Sequence, residues 1–126
     1  MERVLGIGGL FFKARDKAAL AAWYQEHLGV PLESWGGAIF KWREDDPEGR
    51  AFTVWNAFSS DTEYFAPSES SFMVNFRVRD LDAMLAQLRA ASCEVVDKVE
   101  DSEFGRFGWV IDPEGNKVEL WQPPAG

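Results

Sequence analysis

Asp46-Pro47-Glu48-Gly49 and Asp112-Pro113-Glu114-Gly115 are one tetrapeptide written twice, 66 residues apart. Asp at the first position, Pro at the second and Gly at the fourth is type I turn chemistry, suited to joining two strands. One copy marks a turn; two copies at this spacing predict a duplicated unit. A second echo agrees with the first. Phe12-Lys13-Ala14-Arg15-Asp16 returns 64 residues on as Phe76-Arg77-Val78-Arg79-Asp80. In each copy an extended apolar stretch leads into a helix, and Asp16 and Asp80 are the natural N-caps, since a side-chain oxygen there accepts from a first-turn amide.

Outward from these anchors the elements fall into place. Leu20, Trp23, Tyr24, His27 and Leu28 recur at helical spacing and predict an apolar face on a helix over 16–28, stopped by Gly29 and Pro31. Leu81, Met84, Leu85 and Leu88 predict the same face on a helix over 80–91. The strands are expected at 4–12, 31–35, 38–42 and 51–58 in the first unit, and at 72–79, 94–98, 105–112 and 117–122 in the second. The fold class is therefore α+β: two tandem βαβββ modules, 1–58 and 72–126, in a single 1–126 domain, with the Ser-, Glu- and Asp-rich stretch 59–71 as connector.

Composition narrows the function. The 126 residues are 46% hydrophobic and 27% charged, which is the balance of a globular domain. No apolar run approaches the ~18 residues of a spanning helix, and the opening Met-Glu-Arg-Val-Leu-Gly lacks a signal-peptide layout, so no membrane is expected. A single cysteine, Cys93, suits a reducing compartment, and the expected location is cytoplasmic. The formal charge of −8 repels phosphate backbones, so nucleic acid is not an expected partner. Six Trp and ten Phe exceed what a small core encloses, which predicts an aromatic cleft or a subunit interface.

Trp23-Tyr24-x-x-x-Leu28-Gly29, Phe76-Arg77-Val78-x-Asp80-Leu81-Asp82 and Asp112-Pro113-x-Gly115-Asn116-x-x-Glu119-Leu120-Trp121 together resemble the vicinal oxygen chelate superfamily, which includes glyoxalase I, bleomycin-resistance proteins and extradiol dioxygenases. The resemblance implies a curled-sheet cleft between the modules and pairing as a homodimer. It also implies four metal-ligand positions, which fall on Gly9, Thr53, Met73 and Glu119. Glycine has no donor, Thr is a poor ligand for zinc or nickel, and Met suits copper(I), so Glu119 alone is competent and no metal or other cofactor is expected. The chain's one histidine, His27, lies on the predicted apolar helix face and reads as structural.

Strand alternation carries that register further. If 9, 53, 73 and 119 face inward, so do Phe11, Trp55, Asn75 and Trp121. The expected ligand-binding set is Phe11, Thr53, Trp55, Met73, Asn75 and Trp121, with Glu119 as the one catalytic candidate. On general burial habits Phe11 and Met73 are more often core than pocket. A Glu119 pointing into an apolar cleft acquires a raised pKa and serves as acid–base or as counter-charge to a cationic ligand. Gly6-x-Gly8-Gly9 lies within a strand and is no phosphate cradle, and Cys93 has no basic neighbour to activate it. Two functions stay open: a metal-independent protein that sequesters a small molecule in an aromatic cleft, or a lyase or isomerase using Glu119 as acid–base or sole retained metal ligand.

Overall fold

The structure is a computed structural model that describes residues 1–41 and 52–124. Its elements run β1 (Val4–Ala14), α1 (Lys17–Leu28), β2 (Ala38–Lys41), β3 (Phe52–Ser59), β4 (Phe72–Val78), α2 (Leu81–Ala90), β5 (Glu94–Val95), β6 (Glu100–Ser102), β7 (Gly105–Ile111) and β8 (Lys117–Gln122). All strands join one curled sheet in the order β2-β3-β1-β4-β8-β7-β5, with β6 added to β7. The duplication is visible in the pairing. In each half the opening strand lies parallel to the closing strand, β1 with β3 and β4 with β8, and the two opening strands meet antiparallel at the centre.

Local chemistry accounts for the helix ends. The side chains of Asp16 and Asp80 each accept from the amide three residues on, Ala19 N and Ala83 N, both at 3.0 Å. Gly29 closes α1 at φ 67°, left-handed backbone that glycine adopts without a Cβ penalty. The second Asp-Pro-Glu-Gly forms the expected turn between β7 and β8: Gly115 N donates to Asp112 O at 3.0 Å, and the Asp112 carboxylate accepts from Glu114 N and Asn116 N, both at 2.9 Å. The first copy lies outside the described residues.

The helices cover one face of the sheet, unequally. Leu81, Met84 and Leu85 of α2 are buried with Val78 and Leu120 in a compact core. From α1 only Ala21 is buried. Tyr24 touches the sheet through the Trp55 ring at 4.9 Å, while Trp23 and Leu28 remain 50% and 63% exposed. The apolar face expected for α1 is thus only partly used. His27 is not on a packed face either; it sits at the surface, 3.8 Å from Glu26.

The strand expected at 31–35 does not form. Leu32 makes a single bridge to Ala38, and Glu33 to Gly37 closes as a turn, with Glu33 N donating to Gly37 O at 2.7 Å. Pro31 has no amide to give a ladder, and Gly36 takes φ 98°, so Trp35 projects from a turn. In the second half the strand expected at 94–98 is reduced to β5, Glu94–Val95, and a further short strand that was not expected, β6, follows at Glu100–Ser102.

Candidate functional site

Opposite the helices, the concave face of the sheet encloses a cavity of about 410 Å³. Its walls come from both halves of the chain: Phe11 of β1, Ile39 of β2, Phe52 and Val54 of β3, Asn75 of β4, Phe107 of β7 and Trp121 of β8, with Trp35 and Phe104 also lining it. Trp35 and Phe104 are 50% and 60% exposed and form its mouth. Phe52 and Phe107 flank the Trp121 ring at 5.0 and 6.4 Å between centroids. The Trp121 indole N–H donates to Phe104 O at 2.7 Å, which fixes the ring in the wall.

Three of the expected residues, Phe11, Asn75 and Trp121, do line this cavity; Thr53, Trp55 and Met73 do not. Thr53 and Trp55 lie on the opposite face of β3. There Thr53 Oγ1 donates to Ile7 O at 2.9 Å, and Trp55 meets the Phe12 and Tyr24 rings at 5.1 and 4.9 Å. The parallel register pairs inward Gly9 with Val54. A strand's faces alternate with period two, so a one-residue offset turns every side chain over. The ligand position that the resemblance implies on β3 therefore placed the wrong face of that strand inside. Met73 does face inward, but it is buried with Phe65 and Trp109 in a separate cluster.

That cluster explains Glu119. The connector folds back over the second half of the hollow and fills it with Tyr64 and Phe65. Glu119, 1% exposed, lies beneath them. Its Oε1 accepts from the Tyr64 hydroxyl at 2.5 Å and from the Trp109 indole at 3.0 Å, and its Oε2 accepts from Asn75 Nδ2 at 2.6 Å. Lys117 Nζ donates to Tyr64 O at 2.8 Å and rests over the Tyr64 and Trp109 rings at 5.2 and 5.1 Å. Sequence reasoning placed Glu119 on the correct face but missed Tyr64 and Trp109, and with them the donors that occupy the carboxylate.

Burial holds the Glu119 carboxyl above its ordinary value of 4.5, although the bonds from Tyr64, Asn75 and Trp109 pull it down. Burial, then the adjacent carboxylate, pushes the Tyr64 hydroxyl up, so it remains a donor. Burial lowers Lys117. A carboxyl raised by folding binds its proton more tightly in the folded chain than in the unfolded one. Its stabilising contribution is therefore complete below about pH 4.5 and is lost as pH rises through the folded value. The predicted result is that stability measured against Glu119→Gln, which cannot titrate at that position, falls as pH rises above about 4.5. A difference that stays flat in urea titrations across that range contradicts it.

Gly8 packs against two residues of the cavity wall. A β-carbon there would lie 2.1 Å from Asn75 Oδ1 and 2.9 Å from Trp121 Cε3. Asn75 cannot move aside without giving up its bond to Glu119. Gly8→Ala is expected to cost about 1–3 kcal/mol in denaturant unfolding, through displacement of Asn75 rather than through backbone strain.

The four ligand positions implied by the superfamily do not fit a divalent ion. Gly9 and Met73 bring no suitable donor, the inward neighbour on β3 is Val54 in place of Thr53, and both Glu119 oxygens already accept hydrogen bonds. Among the described residues, no group of three or more His, Cys, Asp or Glu is placed to hold a metal. None of their helices is long and apolar enough to cross a membrane.

The family profile described as a glyoxalase-like domain matches residues 9–121. No curated protein matches the chain. Among solved structures, the chain is similar to a methylmalonyl-CoA epimerase variant from Streptomyces coelicolor in complex with 2-nitronate-propionyl-CoA, at 18% identity over 98% of this chain and 100% of the other, with a TM-score of 0.69. It is also similar to methylmalonyl-CoA epimerase from Mycobacterium tuberculosis, at 22% identity over 97% and 90% of the two chains and a TM-score of 0.64. A glyoxalase/bleomycin resistance protein/dioxygenase superfamily member from Vibrio splendidus 12B01 aligns at 13% identity over 97% and 99%, with a TM-score of 0.60. At such identities the likeness concerns the fold.

Proposed function

The chain belongs to the glyoxalase-like domain family, within the vicinal oxygen chelate superfamily, and on that premise we propose that it is a metal-independent small-molecule binding protein that sequesters its ligand in the aromatic cavity. The observation that carries this reading is the separation of the cavity from the carboxylate. The open space is walled by rings and aliphatic side chains, a lining suited to holding a ligand. Glu119 lies behind Asn75, with Tyr64, Trp109 and Asn75 all donating to it. A general base needs its proton target within hydrogen-bond reach, and this carboxylate is covered on the cavity side.

The rival reading, a lyase or isomerase in which Glu119 acts as acid–base or as sole retained metal ligand, has one observation in its favour: a buried carboxyl with a raised pKa beside a cavity. It requires Tyr64 and Asn75 to leave the carboxylate before any substrate atom reaches it. Calorimetric titration of ligands with and without a chelator separates the two readings. The binding reading expects an affinity unchanged by EDTA and no turnover of the bound molecule. Binding that disappears on chelation, or turnover abolished by Glu119→Gln, supports the rival.

Homodimer formation and a cytoplasmic location belong to the same proposal. Val4, Leu5, Ile7 and Leu10 of β1 and Trp23 and Leu28 of α1 are exposed apolar side chains that a second copy would cover. Sedimentation at micromolar concentration is expected to give twice the chain mass, and a monomer contradicts it.

A further inference from the structure

We infer that the cavity discriminates by charge: it takes an aromatic ligand ring-first, neutral or cationic, and rejects one whose buried portion carries a carboxylate or phosphate. This inference rests on the binding reading above and specifies its ligand class.

The polar atoms of the walls are already engaged or shielded. The indole N–H of Trp121 donates to Phe104 O at 2.7 Å. The amide nitrogen of Asn75 donates to Glu119 at 2.6 Å. The other amide atom, Asn75 Oδ1, is buried without a hydrogen-bond partner. It lies against Gly8, so close that a β-carbon there would sit 2.1 Å away. The backbones of β1, β3, β4, β7 and β8 that frame the floor are paired with one another. Among the described residues lining the cavity there is no Lys, Arg or His. An anion pushed against these described walls therefore loses its hydration and finds no donor among them in return, and burying an unpaired charge is among the costliest changes a site can impose.

A cation meets the opposite conditions. Phe11, Trp35, Phe52, Phe107 and Trp121 line the cavity with aromatic rings, the groups whose quadrupole attracts positive charge. The Glu119 carboxylate lies directly behind Asn75. The chain as a whole carries −8, a field that draws cations toward it and holds anions off. A neutral ring pays neither penalty. The half-exposed Trp35 and Phe104 at the mouth stand where an anionic tail could remain in water while the ring is inside. An acyl-CoA ester presented acyl-end first, with a carboxylate leading, is the kind of molecule this lining excludes.

Three naphthalenes of nearly equal shape test the inference: 2-naphthol, 2-naphthylmethylamine as its ammonium form, and 2-naphthoate. Each is titrated calorimetrically into the full-length chain at pH 7.5, with the Trp121 indole N–H resonance confirming the site. The expected result is that naphthoate binds at least about tenfold more weakly than both others, the scale set by leaving one charge unpaired. Naphthoate within tenfold of naphthol overturns the charge inference while leaving the binding reading intact. If none of the three moves the Trp121 resonance, the cavity does not bind rings at all, and both fail. Ile39→Lys, in the cavity wall four strands along the sheet from Glu119, supplies the missing donor; in a chain whose circular dichroism is unchanged, it is expected to bring naphthoate to the affinity of naphthol or better. A naphthoate affinity that stays weak in that folded variant also overturns the inference. Should the variant not fold, the three wild-type titrations decide alone.

Discussion

Replacing Glu119 with alanine is expected to destabilise the fold by about 3–5 kcal/mol, the scale for removing one partner from a buried, charge-assisted network. The loss is not that of a solvent-facing carboxylate on a strand. Tyr64 hydroxyl, Trp109 indole and Asn75 amide all converge on it, at 2.5, 3.0 and 2.6 Å. Removing the acceptor leaves three donors with nothing to bond, and each buried orphan carries its own desolvation cost. The connector depends in part on the same group, because Tyr64 ties it to the sheet beside the 2.8 Å bond from Lys117, with Ser70 to Asn116 and Lys13 N to Ser71 O holding its end. Glu119→Gln keeps the shape and one acceptor oxygen. Its new amide can donate to Asn75 Oδ1, the buried atom that lacks a partner, once the Asn75 amide rotates. The expected cost is therefore smaller, about 1–2 kcal/mol. Urea unfolding of the two variants checks the order. Equal and negligible costs would mean that the carboxylate does not hold the connector down.

Val54→Trp is expected to abolish ligand binding, by about 100-fold or more, while the chain remains folded. Val54 faces the cavity beside Phe52 and across from Ile39, so a large ring there occupies the space that the ligand needs. Because the cavity is empty volume rather than packed core, the added ring meets less of the overpacking strain that a filled core imposes. The companion substitution Trp55→Phe lies one residue on, against Phe12 and Tyr24 on the helix-facing side. It should leave affinity within about threefold and cost stability instead. The pair reads the face of β3 directly. If Trp55→Phe removes binding and Val54→Trp does not, the strand is turned the other way.

The parts of the molecule that sequence made legible are those set by local chemistry. Paired Asp N-caps, a glycine helix stop and the second Asp-Pro-Glu-Gly turn are short-range signals, and each was found in place. Phe11, Asn75 and Trp121 were reached because strand alternation carried inward parity to them from the ligand positions that the resemblance implies. Thr53 and Trp55 were misplaced because the position implied on β3 was off by one residue from Val54, and a one-residue offset inverts a strand's faces. Trp109 was within reach: from the turn at Asp112–Gly115, simple hairpin counting pairs Ile111 with Lys117 and hence Trp109 with Glu119. Tyr64 carried only a faint signal, an aromatic pair with Phe65 inside an otherwise polar connector. Its role depends on a long-range fold-back that no periodicity reports. Trp35 reached the mouth by a turn, with its ring lying over Gly37, where a β-carbon would be 2.1 Å from the ring.

The tie between connector and carboxylate also explains how one fold can leave its inner face half open and half filled. In the first part of the hollow, rings and aliphatic side chains from both halves of the chain surround open space. In the second, Tyr64, Phe65, Met73 and Trp109 close around Glu119. A ligand accordingly has access to rings and not to the acid. That division is what makes binding without turnover the reading best supported by the geometry.

The most direct test is to record the indole N–H resonances of the chain while 2-naphthol is added. The account predicts that the signals of Trp121 and Trp35, which line the cavity, shift with occupancy, and that the Trp109 signal, locked to Glu119 at 3.0 Å, stays where it is. A Trp109 signal that moves while Trp121 remains still would place the ligand on the carboxylate, and would contradict the separation of cavity from acid on which the proposed function stands.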